Sequence, residues 1–86
     1  MNINELIAIV KNKIDSKIVV QDIKIEDKSF LHKKHKEYQH GKFHLKLVIK
    51  SEELSKLNKI VATKKIYSIL DHELKKYIHS IQILFS

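Results

Sequence analysis

Apolar residues recur at Ile3, Leu6, Ile7, Val10 and Ile14. Steps of three and four predict an amphipathic helix at the start of the chain. Asn2 followed by Glu5 has the pattern of a capping box, and polar Asp15-Ser16 marks the predicted end. In KIVVQDIKIED, residues 17–27, the period changes to two. Val19, Ile23 and Ile25 share one parity, broken only by Gln21, while Asp22, Lys24 and Glu26 share the other. That alternation predicts a half-buried strand with one wet face. Phe43, Leu45, Leu47 and Ile49 alternate with His44, Lys46, Val48 and Lys50 in the clearest strand of the chain. Polar residues 27–41 between the two strands, with the single glycine Gly41, predict a loop long enough to suggest a functional one. The two strands it joins are expected to pair antiparallel.

Ser51-Glu52-Glu53 predicts a helix start, with Ser51 as N-cap and acids in the first turn. A short helix is expected near Leu54. A longer one follows from about Asn58 to Tyr77, with Ile60, Ile66, Tyr67, Leu70, Leu74 and Tyr77 as its apolar stripe. Ile81, Ile83 and Phe85 then alternate in a last strand entered through Ile78-His79. The order helix-strand-strand-helix-helix-strand predicts an α+β domain, a three-stranded sheet with helices packed on one face.

Composition narrows the classes. The 86 residues make a single domain, 1–86, with 43% apolar residues and no internal repeat. No cysteine means no disulfide framework and no thiolate of the chain's own for a metal. No apolar run is long enough to span a membrane, and MNINELIAIV does not read as a signal peptide, so a soluble, cytoplasmic protein is expected. The net charge is +7, and all seventeen basic residues other than histidine are lysine. This field favours nucleic acid, an acidic protein face or anionic lipid, although a coding bias toward A and T also yields lysine-rich chains. Without arginine, bidentate reading of guanine is not expected. Enzymatic chemistry has no visible constellation: no Ser-His-Asp pattern, no phosphate-cradling loop, no paired carboxylates.

The histidines and lysines are the candidate chemistry. HKKHKEYQHGKFH, residues 32–44, holds four of the six histidines. His32 and His35 are spaced as His-x-x-His, but only Glu37 lies nearby, a weak zinc pattern. His44 has the outward parity of its strand and is expected to hydrogen-bond across the sheet or to orient a neighbour. His40 and His72 are expected on the surface. His79, at the junction of helix and last strand, suits either a helix C-terminal cap or a metal ligand. Lys64, Lys65, Lys75 and Lys76 fall on the long predicted helix, as a nucleic-acid face or a solvated one.

Several motifs, in order, resemble the BolA family. Asp27-Lys28-Ser29 with His32 and His35 is similar to its D-E-S-x-x-H-x-G-H run. Residues 41–51, GKFHLKLVIKS, are similar to G-x-S-H-F-x-V-x-I-V-S. Ile66-Tyr67, Leu70, Glu73-Leu74 and Ile78-His79-Ser80-Ile81 resemble the family's helix and closing I-H-A-L strand. Two departures stand out: Ala62-Thr63-Lys64 replaces the R-H-R stretch, and Leu54-Ser55-Lys56 replaces F-x-G.

The resemblance implies a fold like the class II KH domain. It also implies a heterodimer with a monothiol glutaredoxin of the CGFS type, sharing a [2Fe-2S] cluster, and, for bacterial members, DNA binding and transcriptional regulation. In that scheme His79 is a cluster ligand and His32 or His35 the second. The thiolates come from the partner and from glutathione, and the chain alone is a monomer without a cofactor. A KH fold grips single strands through a G-x-x-G loop, and one glycine cannot supply it.

Overall fold

The computed structural model describes residues 2–28 and 42–86. Most of the expected loop, with His32, His35, His40, Lys33, Lys34 and Lys36, lies outside the described residues.

Helix α1 spans Ile3–Lys17. The Asn2 side chain accepts a hydrogen bond from the Glu5 N–H at 2.8 Å, and the Glu5 carboxylate accepts one from the Asn2 side-chain amide at 2.9 Å. This capping pair satisfies one otherwise orphaned donor of the first turn. The helix runs past the expected stop at Asp15-Ser16. The Ser16 hydroxyl turns back to the Lys13 carbonyl at 2.8 Å, which keeps a poor helix former within the last turn. Strand β1 is Asp22–Asp27, shorter than the alternation from Lys17 suggested. Ile18 caps α1 and is buried, and Val19 is 66% exposed, so Val19 does not share the buried face of Ile23 and Ile25.

Strand β2, Phe43–Lys50, is central in a sheet of order β1-β2-β3. It pairs antiparallel with β1, as expected, with Ile23 opposite Ile49 and Ile25 opposite Leu47. The last strand, β3 (Ile78–Phe85), runs parallel to β2 and sets Ile81 beside Leu45 and Ile83 beside Leu47. A parallel neighbour needs a crossover. Here it consists of α2 (Glu52–Ser55), α3 (Lys59–Ile69) and α4 (Asp71–Lys76). Ser51 caps α2, accepting from the Leu54 N–H at 3.2 Å, and its hydroxyl donates to the Val19 carbonyl at 2.7 Å. One buried hydroxyl thus ties the β2–α2 corner to the α1–β1 connection.

The single long helix expected over 58–77 is two helices. Leu70, fully buried, leaves helical geometry at φ −98°, ψ 16°, and Asp71 and Glu73 then supply the acidic first turn that a new helix start favours. The expected stripe also merges two faces. At about 100° per residue, Ala62 and Ile66 fall on one side of α3, and Ile60 and Tyr67 on the other. Ala62 and Ile66 are 2% and 0% exposed; Ile60 and Tyr67 are 69% and 43% exposed. Leu6, Val10 and Ile14 of α1 join Ala62, Ile66 and Leu70 against Leu45, Leu47 and Ile49 of the sheet in one core. The opposite sheet face carries Glu26, Lys46 and Gln82 in one row and Lys24, Val48 and Leu84 in the next.

Glu73 is the one buried carboxylate among the described residues, 2% exposed, and its oxygens meet the Lys13 ammonium at 2.7 and 3.0 Å. The pair joins α1 to α4. Lys13→Ala strands that charge and is expected to cost about 2–3 kcal/mol of unfolding free energy, read from urea denaturation. The double change Lys13→Met with Glu73→Leu should recover most of the loss, because no buried charge remains without a partner.

Candidate metal centre

The β2–β3 ladder slips once. Phe43 lies opposite Ile78, but His44 lies opposite Ser80, so His79 is the additional residue of β3 at this point. The slip has a readable cause. Ile78 and Ile81 are both buried, at 1% and 9% exposure, and they stand three residues apart. Strict alternation cannot place both inward, since residues three apart face opposite sides of a regular strand. An inserted residue restores the phase and leaves both His79 and Ser80 exposed. The backbone here is held from both directions. The Tyr77 N–H closes α4 on the Glu73 carbonyl at 2.8 Å, and the Phe43 N–H donates to the Tyr77 carbonyl at 2.9 Å.

His44 is the other part of the centre. Its parity is outward, yet it is only 7% exposed. The expected cross-sheet bond is present: Nδ1 lies 2.7 Å from the Ser80 hydroxyl. The ring also packs against His79, centroids 4.8 Å apart and planes tilted by 54°. A neighbouring imidazole and a hydroxyl on the facing strand cover it.

His79 does not cap α4. Lysines 75 and 76 occupy the last turn of that helix, and His79 sits within β3. Its ring is exposed, and among the described residues its nitrogens have no hydrogen-bond partner. It therefore suits a donor of one nitrogen to a group held at the surface, with His44 behind it as a brace. No three His, Asp or Glu among the described residues come together to hold a metal. His32 and His35 fall outside those residues, so only His79 of the expected ligands can be placed. His40 lies outside as well, and His72 is exposed, edge-on to Tyr77 at 6.1 Å.

The four candidate lysines are divided by the break at Leu70. Lys64 and Lys65 belong to α3, Lys75 and Lys76 to α4. Lys65 pairs with Glu53 at 3.5 Å and Lys75 with Asp71 at 3.0 Å. Exposed pairs of this kind contribute little to stability and exchange readily for other anions. Among the described residues, no helix is long and apolar enough to cross a membrane.

A family model described as BolA-like protein matches residues 14–85. Similar solved structures include the BolA domain of SufE1 from Arabidopsis thaliana, at TM-score 0.79 and 21% identity, covering 100% of this chain and 93% of that one. BolA1 from Arabidopsis thaliana follows at TM-score 0.76 and 20% identity, with 91% and 86% coverage. A bol-like protein from Babesia bovis has TM-score 0.70 and 17% identity, with 91% and 79% coverage. No curated protein sequence matches the chain.

The bridge between His44 and Ser80 has a direct test. Ser80→Ala removes the hydroxyl that anchors Nδ1, at a cost of about 1 kcal/mol. In long-range nitrogen–proton NMR, His44 of the unaltered protein should show one fixed tautomer. Ser80→Ala should shift the His44 ring signals, and the His79 resonances should move with them. Unchanged His44 and His79 signals in Ser80→Ala would remove the bracing role.

Proposed function

The chain belongs to the BolA-like family, and from that premise we propose that it is a non-enzymatic adaptor that binds a CGFS-type monothiol glutaredoxin and shares a [2Fe-2S] cluster with it, in iron–sulfur trafficking or iron regulation. The cluster is cargo held between the two proteins, and it supplies irons that accept both nitrogen and thiolate ligands. The observation that carries this reading is His79: an exposed imidazole at a register slip, unbonded among the described residues and packed against an anchored neighbour.

This chain contributes nitrogen and no sulfur. It has no cysteine, so the thiolates must come from the glutaredoxin and from glutathione. His79 offers one nitrogen, and His32 or His35 is the candidate for a second. His44 packs beside the His79 ring, and we infer that this contact limits the ring's orientations. A lone exposed donor makes a poor site by itself and a good one when a partner brings the remaining ligands.

Titrating this protein into cluster-loaded CGFS glutaredoxin should produce a new visible absorption and circular dichroism spectrum that saturates at one-to-one. His79→Ala should keep the same thermal unfolding midpoint, because the side chain is exposed and unbonded, and should lose that spectrum or shorten its lifetime. An identical spectrum and lifetime in His79→Ala would remove the residue from the mechanism.

The second reading is a DNA-binding regulator using Lys64, Lys65, Lys75 and Lys76, favoured by the net charge of +7. Phosphate contacts by lysines position a protein without specifying sequence. Binding to duplex DNA should then weaken steeply as salt rises, with little preference among sequences. Absence of binding even at low salt would eliminate this reading.

A further inference from the structure

Among the described residues six large apolar side chains are exposed, and five of them, Leu57, Ile60, Val61, Tyr67 and Leu84, lie on α3, its approach and the end of β3. Only Val19 stands apart. Scattered surface apolar groups need no explanation, but a group that lines adjoining hollows does. The outer side of α3 is apolar because Ile60 and Tyr67 stand two turns apart on one face, opposite the buried Ala62 and Ile66.

Two hollows follow this band. The first, about 400 Å³, lies between α2, α3 and the end of β3 and is lined by Leu54, Leu57, Lys59, Ala62, Leu84 and Phe85, among others. The second, about 360 Å³, is lined by Lys59, Ile60, Thr63, Lys64 and Tyr67, and its exposed wall is almost wholly carbon. Lys59 belongs to both and so joins them. No acidic residue lines either hollow, and Lys59 and Lys64 have no ion-pair partner among the described residues.

We propose that this band docks an acidic segment of a partner protein, one that carries apolar side chains for the two hollows and carboxylates for Lys59 and Lys64. Charge complementarity decides the occupant. A second copy of the chain would bring the same lysine rim and another net charge of +7, which opposes self-association. A nucleic-acid backbone calls for a run of cations along its path, whereas only Lys59 and Lys64 line these hollows and the wall of the second is almost wholly carbon. A bilayer surface does not fill two concave hollows. Apolar anchors seated in pockets with charges at the rim match the anatomy of protein interfaces.

The band is independent of the cluster reading. Leu84 is five residues along β3 from His79, roughly 16 Å at the rise of an extended strand. A partner seated there leaves the histidine end of β3 open, so the two can be occupied together.

Selection of a phage-displayed random-peptide library against the full chain tests the proposal. Enriched peptides, synthesised with a fluorescent label, are titrated by anisotropy and mapped by amide chemical shifts. Enriched sequences should combine apolar residues with Asp or Glu and shift amides of residues 57–67 and 84–86. Ile60→Asp should weaken binding by about tenfold or more, and Lys59→Glu with Lys64→Glu by a comparable factor. Val19→Asp, which alters the exposed apolar residue outside the band, should leave affinity unchanged. Three results would overturn the proposal: no enrichment; peptides that bind elsewhere or ignore Ile60→Asp; or labelled oligothymidylate or phosphatidylserine vesicles shifting these amides while no peptide does.

Discussion

The architecture depends on β2. A three-stranded sheet has one strand with both edges paired, and every other element is placed by reference to it. Leu45, Leu47 and Ile49 are 3%, 0% and 1% exposed, and they contact the core from the middle of the sheet. β1 pairs antiparallel with β2. β3 pairs parallel, so the chain must return along the length of the strands between Lys50 and Ile78, and three helices fill that path. The helices are therefore the lid of the core and the crossover at once. α1 closes the remaining area, and the Lys13–Glu73 pair locks it to the last segment of the crossover.

The candidate centre follows from a mismatch of periods. A helix end and a strand start meet at Tyr77 and Ile78, and two isoleucines three residues apart both turn into the core. The strand resolves this by admitting His79 as an additional residue. The surrounding ladder then fixes His44 opposite Ser80 and presses its ring against His79. Burial of hydrophobic side chains thus positions a polar site. The driving term is apolar burial, worth a few kcal/mol per isoleucine, against a single hydrogen bond worth about 1 kcal/mol. The slip should be as durable as the core itself.

α3 serves two surfaces. Its inner face completes the core, and its outer face presents Ile60 and Tyr67 with Lys64 between them and Lys59 beside them. A helix that is apolar on two sides has no strong amphipathic direction, so a stripe drawn along it merges inward and outward residues. The proposed adaptor role uses one end of β3, and the proposed peptide contact uses the other end with α3. Such a division lets a small domain connect two partners through a rigid strand.

Much of the fold could be read directly from residue periodicity. The i, i+3, i+4 recurrence of Leu6, Val10 and Ile14 and the alternation around Leu45, Leu47 and Ile49 are local properties, because helix and strand repeats decide which side chains share a face. Capping by Asn2 and Ser51 is equally local, a side-chain oxygen meeting a main-chain donor three residues on. The order of elements and the family motifs were legible too, and with them His79 as a candidate. The Ile78–Ile81 spacing carried the signal of the slip, though an alternation starting at Ile81 passes over it. Tertiary structure alone decided what depends on neighbours distant in sequence. Val19 is exposed because Ile18 takes the buried position at the end of α1; the long helix divides where Leu70 leaves helical geometry and Asp71 and Glu73 open a new first turn. His44 is buried despite its outward parity, in contact with His79 and Ser80. A periodic pattern specifies which residues share a face; only packing against other elements determines whether that face meets the core, the solvent or another side chain.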